Sequence, residues 1–204
     1  MQLHHPLAVI TPTLDGYLLE ALARVDAWFT TSQLRHTAPS FSSEGIRRAL
    51  RRLVEQGIVS VEVVGRTSQY RLNRDHLAAP SVIAMSELDS ELIRRLGRAV
   101  SAWEVPPTYA SLFGSAARSA MRPDSDIDLF VVYPDHADLD AWGEQTLHLA
   151  RQVTLWTGND ARILDMAESE VTARRSEEPV LHDIAAARHG QFAGAPRWLA
   201  TALG

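Results

Sequence analysis

The chain has 204 residues, 46% of them hydrophobic, with a net charge of -5 and no cysteine. That length suits one large domain or two small ones, and two is the expectation; a chain without cysteine has no disulfide framework, thiolate nucleophile or cysteine zinc site. No run of about 18 apolar residues occurs and Met1 to Ile10 lacks a basic region followed by a long apolar one, so a soluble cytoplasmic protein without a membrane span is expected.

Leu18, Leu19, Leu22, Val25 and Trp28 recur at helical spacing and predict a first helix over 14–28. A short second helix begins near Thr31 or Ser32, whose hydroxyls can cap it, and carries Leu34 inward before Pro39. The third helix has Ser42 as its N-cap, Glu44 in its first turn and Gly57 at its end. At 100° per residue Ile46, Ala49, Leu50, Leu53 and Val54 gather on one side, and Arg47, Arg48, Arg51 and Arg52 on the other. Val59, Val61 and Val63, a Gly65-Arg66 turn, then Tyr70 and Leu72 switch the period to two and predict a β-hairpin. Residues 31–76 hold eight arginines against four carboxylates, an excess of +4 that leaves -9 for the remainder of a chain totalling -5.

Three helices, the third bearing arginines, and a hairpin over 14–73 resemble the winged helix-turn-helix of bacterial transcription regulators. The resemblance implies double-stranded DNA as a partner, with Arg47, Arg48, Arg51 and Arg52 at the major groove and Arg66 reaching out from the hairpin tip. The alternatives are a solvated helix face or a protein-docking module. The segment 76–86, loosened around Ala78-Ala79-Pro80, reads as a linker. Leu88, Leu92, Leu96, Ala99, Val100 and Trp103 then predict a helix that could join two domains or support a homodimer.

Pro106-Pro107 stops that helix, and Tyr109 to Phe113 reads as a short strand leading into Gly114-Ser115. Glycine there lets a phosphate approach the backbone, and a short helix over 115–121 would offer its first N–H groups and the Ser115 hydroxyl to a nucleotide, with Arg118 and Arg122 nearby. Ten residues separate Ser115 from Asp126, and Asp126-Ile127-Asp128 opens an apolar strand through Val132, where alternation places both carboxylates on one face. Two hard oxygen ligands on one strand suit magnesium, which shares its shell with phosphates and water.

Gly114-Ser115, ten residues and then Asp126-x-Asp128, with Arg118 and Ser125 to Leu129, resemble the DNA polymerase β-type nucleotidyltransferases over about 109–166. The minimal and antibiotic-modifying branches are the nearest in pattern. The resemblance implies a nucleotide site at Gly114, Ser115 and Arg118, Mg2+ on Asp126 and Asp128, and transfer of a nucleoside monophosphate from an NTP to a protein or small-molecule acceptor. It also implies a third carboxylate on a later strand. After a helix over 138–157 and the Gly158-Asn159 turn, Arg162 occupies that place; Asp165 is the residue put forward instead, with Asp160 as the other candidate, although Asp165 faces away unless a bulge intervenes. Ser119 stands where the family often has glycine. The histidines form no metal set, and the tail from Glu168 reads as helical at first.

The expected architecture is α+β: a winged helix-turn-helix over 1–80, a linker helix over 81–105, and a small mixed-sheet nucleotidyltransferase domain with flanking helices over 106–204. The rival function is a transcription regulator or antitoxin-like factor whose transferase-like domain binds a nucleotide or a partner without efficient catalysis. A small-molecule resistance enzyme is a third, which the arginine face disfavours.

Overall fold

A computed structural model describes residues 1–174, 178–186, 190–195 and 197–203. The chain divides into two compact units, His5–Asp89 and Met1–His4 together with Ser90–Gly204. Among the described residues no helix is long and apolar enough to cross a membrane.

The first unit opens with a 3-10 turn over Pro6–Val9, whose Leu7 is buried. Helix α1 (Leu14–Arg24) sends Leu18, Leu22 and Ala23 inward. It ends before Trp28, the expected limit, because the backbone turns extended at Val25 to form a two-residue strand, β1 (Phe29–Thr30), which pairs Phe29 with Tyr70. Helix α2 (Thr31–Thr37) is capped by Thr30 rather than Thr31 or Ser32; the Thr30 hydroxyl accepts from the Gln33 N–H, and the Gln33 side chain accepts from the Thr30 N–H in return. In α3 (Ser43–Glu55) the Ser42 hydroxyl accepts from the Gly45 N–H at 3.1 Å, and Ile46, Ala49, Leu50 and Leu53 are buried. Strands β2 (Val59–Val64) and β3 (Thr67–Leu72) pair antiparallel in strict register, so the sheet order is β1-β3-β2.

The segment 76–86, read from its sequence as a linker, is largely helical: α4 (Ala79–Ser86) places Pro80 in its first turn, where no intrahelical donor is lost, and buries Ala79 in the core of α1 and α3. A separate helix, α5 (Leu88–Ser101), follows, so 81–105 is not one continuous helix.

In the second unit a four-stranded sheet has the order β6-β5-β4-β7. Strand β4 (Tyr109–Phe113) lies antiparallel to β5 (Ile127–Tyr133), with the short helix α6 (Gly114–Ala117) between them. Helix α7 (Leu139–Thr157), capped by Asp138, carries the chain over to β6 (Ala161–Ala167), parallel to β5. Helices α8 (Glu168–Ala173) and α9 (Pro179–Ala186), strand β7 (Gln191–Gly194) and helix α10 (Trp198–Leu203) complete the unit. The edge strand β7 lacks an alternating sequence, which is why only tertiary pairing to β4 reveals it. Strand β5 is buried on both faces: Ile127, Leu129 and Val131 pack with Leu92 and Leu96 of α5 and Leu149 and Val153 of α7, while Phe130 and Val132 pack with Val171, Leu181, Ile184 and Leu199.

Glu20 on α1 is only 6% exposed, with the Arg24 guanidinium 3.3 Å away and His5 Nδ1 at 3.6 Å. Burial pushes its carboxyl up to about 7, Arg24 opposing the rise and Asp89 adding to it. Folded protein therefore holds this proton between the ordinary glutamate value and about 7 while unfolded chain does not, so stability falls as pH rises through that window. Thermal unfolding followed from pH 4.5 to 8 is expected to show the loss, on the order of 2 kcal/mol. Glu20→Gln flattens that slope; a variant as pH-dependent as the parent chain would rule out this origin.

Candidate functional site

Strand β4 delivers the chain into Gly114 at the start of α6, with a φ of +66° that favours glycine. Phe113 is the ladder partner of Asp128, so Gly114 lies against that carboxylate, and a Cβ there would stand 2.2 Å from Asp128 Oδ2. The glycine expected to admit a phosphate also admits Asp128 itself. Ser115 follows in the same turn, half-buried, and Arg118 caps the end of α6. The helix is shorter than expected: Ser119 adopts a φ of +54°, the left-handed region, which ends it. A glycine would adopt that conformation without the Cβ penalty that serine carries.

Asp126 immediately precedes β5 and Asp128 is its second residue, on the face shared with Phe130 and Val132. Burial holds the Asp128 carboxyl above its ordinary range, the neighbouring Asp126 adds to the rise, and Arg162 and Arg118 oppose it. Arg162 is the register partner of Asp128 on β6, and its Nη2 lies 2.9 Å from Asp126 Oδ2. The place beside the two aspartates is thus taken by a cation.

The approach to Asp126 is fixed by a residue whose role its sequence context did not reveal. Asn159, 4% exposed, donates through Nδ2 to the Ser125 carbonyl at 2.8 Å and the Pro123 carbonyl at 3.2 Å. Ser125 Oγ in turn accepts from the Arg122 N–H at 2.8 Å, and the Ile127 N–H donates to the Asp160 carbonyl at 2.8 Å. In sequence, Gly158-Asn159 carries only the signature of a turn; burial is what makes the asparagine amide a brace.

The structure separates Asp165 from this group. Strands β5 and β6 stay in register from Ala161 to Ala167 without a bulge, so Asp165, opposite Val131, faces α7, where its Oδ2 accepts from Trp142 Nε1 at 2.7 Å. Asp160 lies exposed just before β6. Among the described residues no group of three histidine, aspartate or glutamate side chains is placed to hold a metal. The donor set of Asp126 and Asp128 therefore fits one hard cation that completes its shell with water and phosphate oxygens, and does not fit an all-protein cage.

In the first unit Arg47, Arg48, Arg51 and Arg52 are all exposed on α3, and Arg66 is exposed at the β2–β3 turn. They are not equivalent. Arg52 is ion-paired with Asp15 of α1, whereas Arg47 makes an exposed pair with Glu44 at 3.6 Å. Arg47 and Arg66 line a groove of about 510 Å³ together with the hydroxyl-bearing Thr31, Ser32, Thr67 and Ser68.

Two substitutions test the backbone account. Ser119→Gly relieves the left-handed strain and is expected to stabilise the second unit by roughly 0.5–1 kcal/mol. Gly114→Ala adds the same kind of strain and crowds Asp128, costing about 1–3 kcal/mol. Denaturant unfolding reads both, and equal midpoints for all three proteins would refute the assignment.

No curated protein matches the chain. A solved structure described as "Crystal structure of the toxin-antitoxin with AMP-PNP" is similar over 56% of this chain and 80% of its own, at 22% identity and a TM-score of 0.37. Residues 93–174 match the nucleotidyltransferase domain family. That stretch contains Gly114, Ser115, Arg118, Asp126, Asp128 and Arg162, so the whole candidate site lies within the part of the chain that is similar to nucleotidyltransferase domains.

Proposed function

We propose that the region 106–204 binds a nucleoside triphosphate with Mg2+ and transfers its nucleoside monophosphate to an acceptor, and that the region 1–80 is a winged helix-turn-helix that binds double-stranded DNA. The observation that carries the first part is the packing of Gly114 against Asp128, which sets the phosphate-binding turn beside the paired carboxylates within the nucleotidyltransferase match. In this reading the α6 turn and the Ser115 hydroxyl hold terminal phosphates, Arg118 offsets their charge, and Asp126 and Asp128 are the metal ligands. Mg2+, when bound, neutralises phosphate charge and fixes the triphosphate for in-line attack. An acceptor hydroxyl then displaces pyrophosphate from the α-phosphorus. Asp165, held by Trp142 on the other face of the sheet, orients α7 rather than touching substrate.

Arg162 favours a second reading, a regulator or antitoxin-like factor that binds nucleotide without efficient transfer, since no carboxylate stands at that place to activate the acceptor. Incubation with labelled nucleoside triphosphates, Mg2+ and cell extract distinguishes them. Label transfer that disappears in Asp126→Ala/Asp128→Ala supports transfer. Nucleotide binding without label supports the regulator.

For DNA binding, the support is the element order of the first unit, the arginine face of α3 and the hydroxyl-lined groove between Arg47 and Arg66. Alanine at Arg47, Arg48, Arg51 or Arg66 is expected to lower the salt slope of duplex binding by about one wherever the guanidinium meets a phosphate. Arg52→Ala has the smaller effect because Asp15 already engages that guanidinium. Salt titrations of binding in which all five variants match the parent chain would remove this surface from consideration.

A further inference from the structure

We propose that Arg162 is a resident counter-cation that keeps free divalent metal off Asp126, so that the metal enters the site as its complex with the triphosphate. The inference rests on the reading of Asp126 and Asp128 as metal ligands. Its support is the 2.9 Å pair between Arg162 Nη2 and Asp126 Oδ2, together with the β6 register that places Arg162 directly beside Asp128.

Charge and geometry explain the behaviour. Asp126 and Asp128 bring two negative charges; Arg162 is paired with Asp126, and Arg162 and Arg118 both act on Asp128. A dication approaching alone loses a carboxylate partner to the guanidinium and meets its repulsion as well. A metal–triphosphate brings its own negative charge, which offers the guanidinium a phosphate oxygen in exchange for Asp126. The side chain has room to make that exchange: Arg162 is 74% exposed, while Asp126 is 26% exposed and held in place by the braced loop before β5. A long exposed arginine on a rigid strand can leave its partner without disturbing the fold, and the strand keeps its base within reach of the site.

The test counts bound Mn2+ by electron paramagnetic resonance, with and without a non-hydrolysable ATP analogue, in the full chain. Without nucleotide, Arg162→Gln and Arg162→Ala are expected to bind Mn2+ about fivefold or more tightly than the parent chain. Arg162→Lys, which keeps the charge, stays within about twofold of it. Adding Asp126→Asn to Arg162→Gln abolishes the gain. The nucleotide-induced increase in Mn2+ affinity is larger in the parent chain than in Arg162→Gln. Equal Mn2+ affinity in parent and neutral variants, with nucleotide binding intact, overturns the role of Arg162 and leaves the metal–nucleotide reading standing. Absence of both Mn2+ and nucleotide binding from every variant that retains the parent circular dichroism spectrum overturns the two together.

Discussion

Burial of β5 on both faces is the constraint on which the second unit depends. Ile127, Leu129 and Val131 fill the side toward α5 and α7, and Phe130 and Val132 fill the other. Because the side-chain period of a strand is two, this burial fixes which way Asp128 points: a slip of one residue would drive its carboxylate into the helix-packed core and expose Ile127. The orientation of the candidate site is therefore set by hydrophobic packing of the residues that alternate with it and follow it along β5. The same register carries the consequence to β6, where it puts Arg162 beside Asp128 and turns Asp165 to the opposite face.

The electrostatics of the site follow from that register. Burial first, and the neighbouring Asp126 carboxylate second, disfavour ionisation of Asp128. Arg162 and Arg118 offset this from within the chain, where a third carboxylate would have deepened it. A guanidinium at this strand position, rather than a carboxylate, lowers the demand for an external cation and supplies no general base. Asn159, itself uncharged, secures the loop entering Asp126 through two carbonyls and so fixes its geometry.

The first unit shows a comparable division between local and tertiary causes. Ser42 caps α3 and the spacing of Ile46, Ala49, Leu50 and Leu53 buries one side, so the arginines must emerge on the other. Their availability is decided by neighbours distant in sequence. Asp15 engages Arg52, while the hairpin turn brings Arg66 to the same groove as Arg47.

The amino-acid sequence by itself determined the elements with strong periodicity and the motif with fixed spacing: the amphipathic face of α3, the β2–β3 hairpin, β4 leading into Gly114, and β5 with its paired aspartates. Those features are legible because side-chain period and backbone geometry are local properties. Tertiary structure decided what depends on long-range pairing. It made strands of Phe29–Thr30 and Gln191–Gly194, each too short or too irregular to show a period, and drew Ala79 into a core where a linker was expected. It also buried Asn159, gave Asp165 to Trp142 and placed Arg162 on Asp126. A carboxylate reads the same in sequence whether it faces a substrate or an indole; only the register of its strand against the next distinguishes the two.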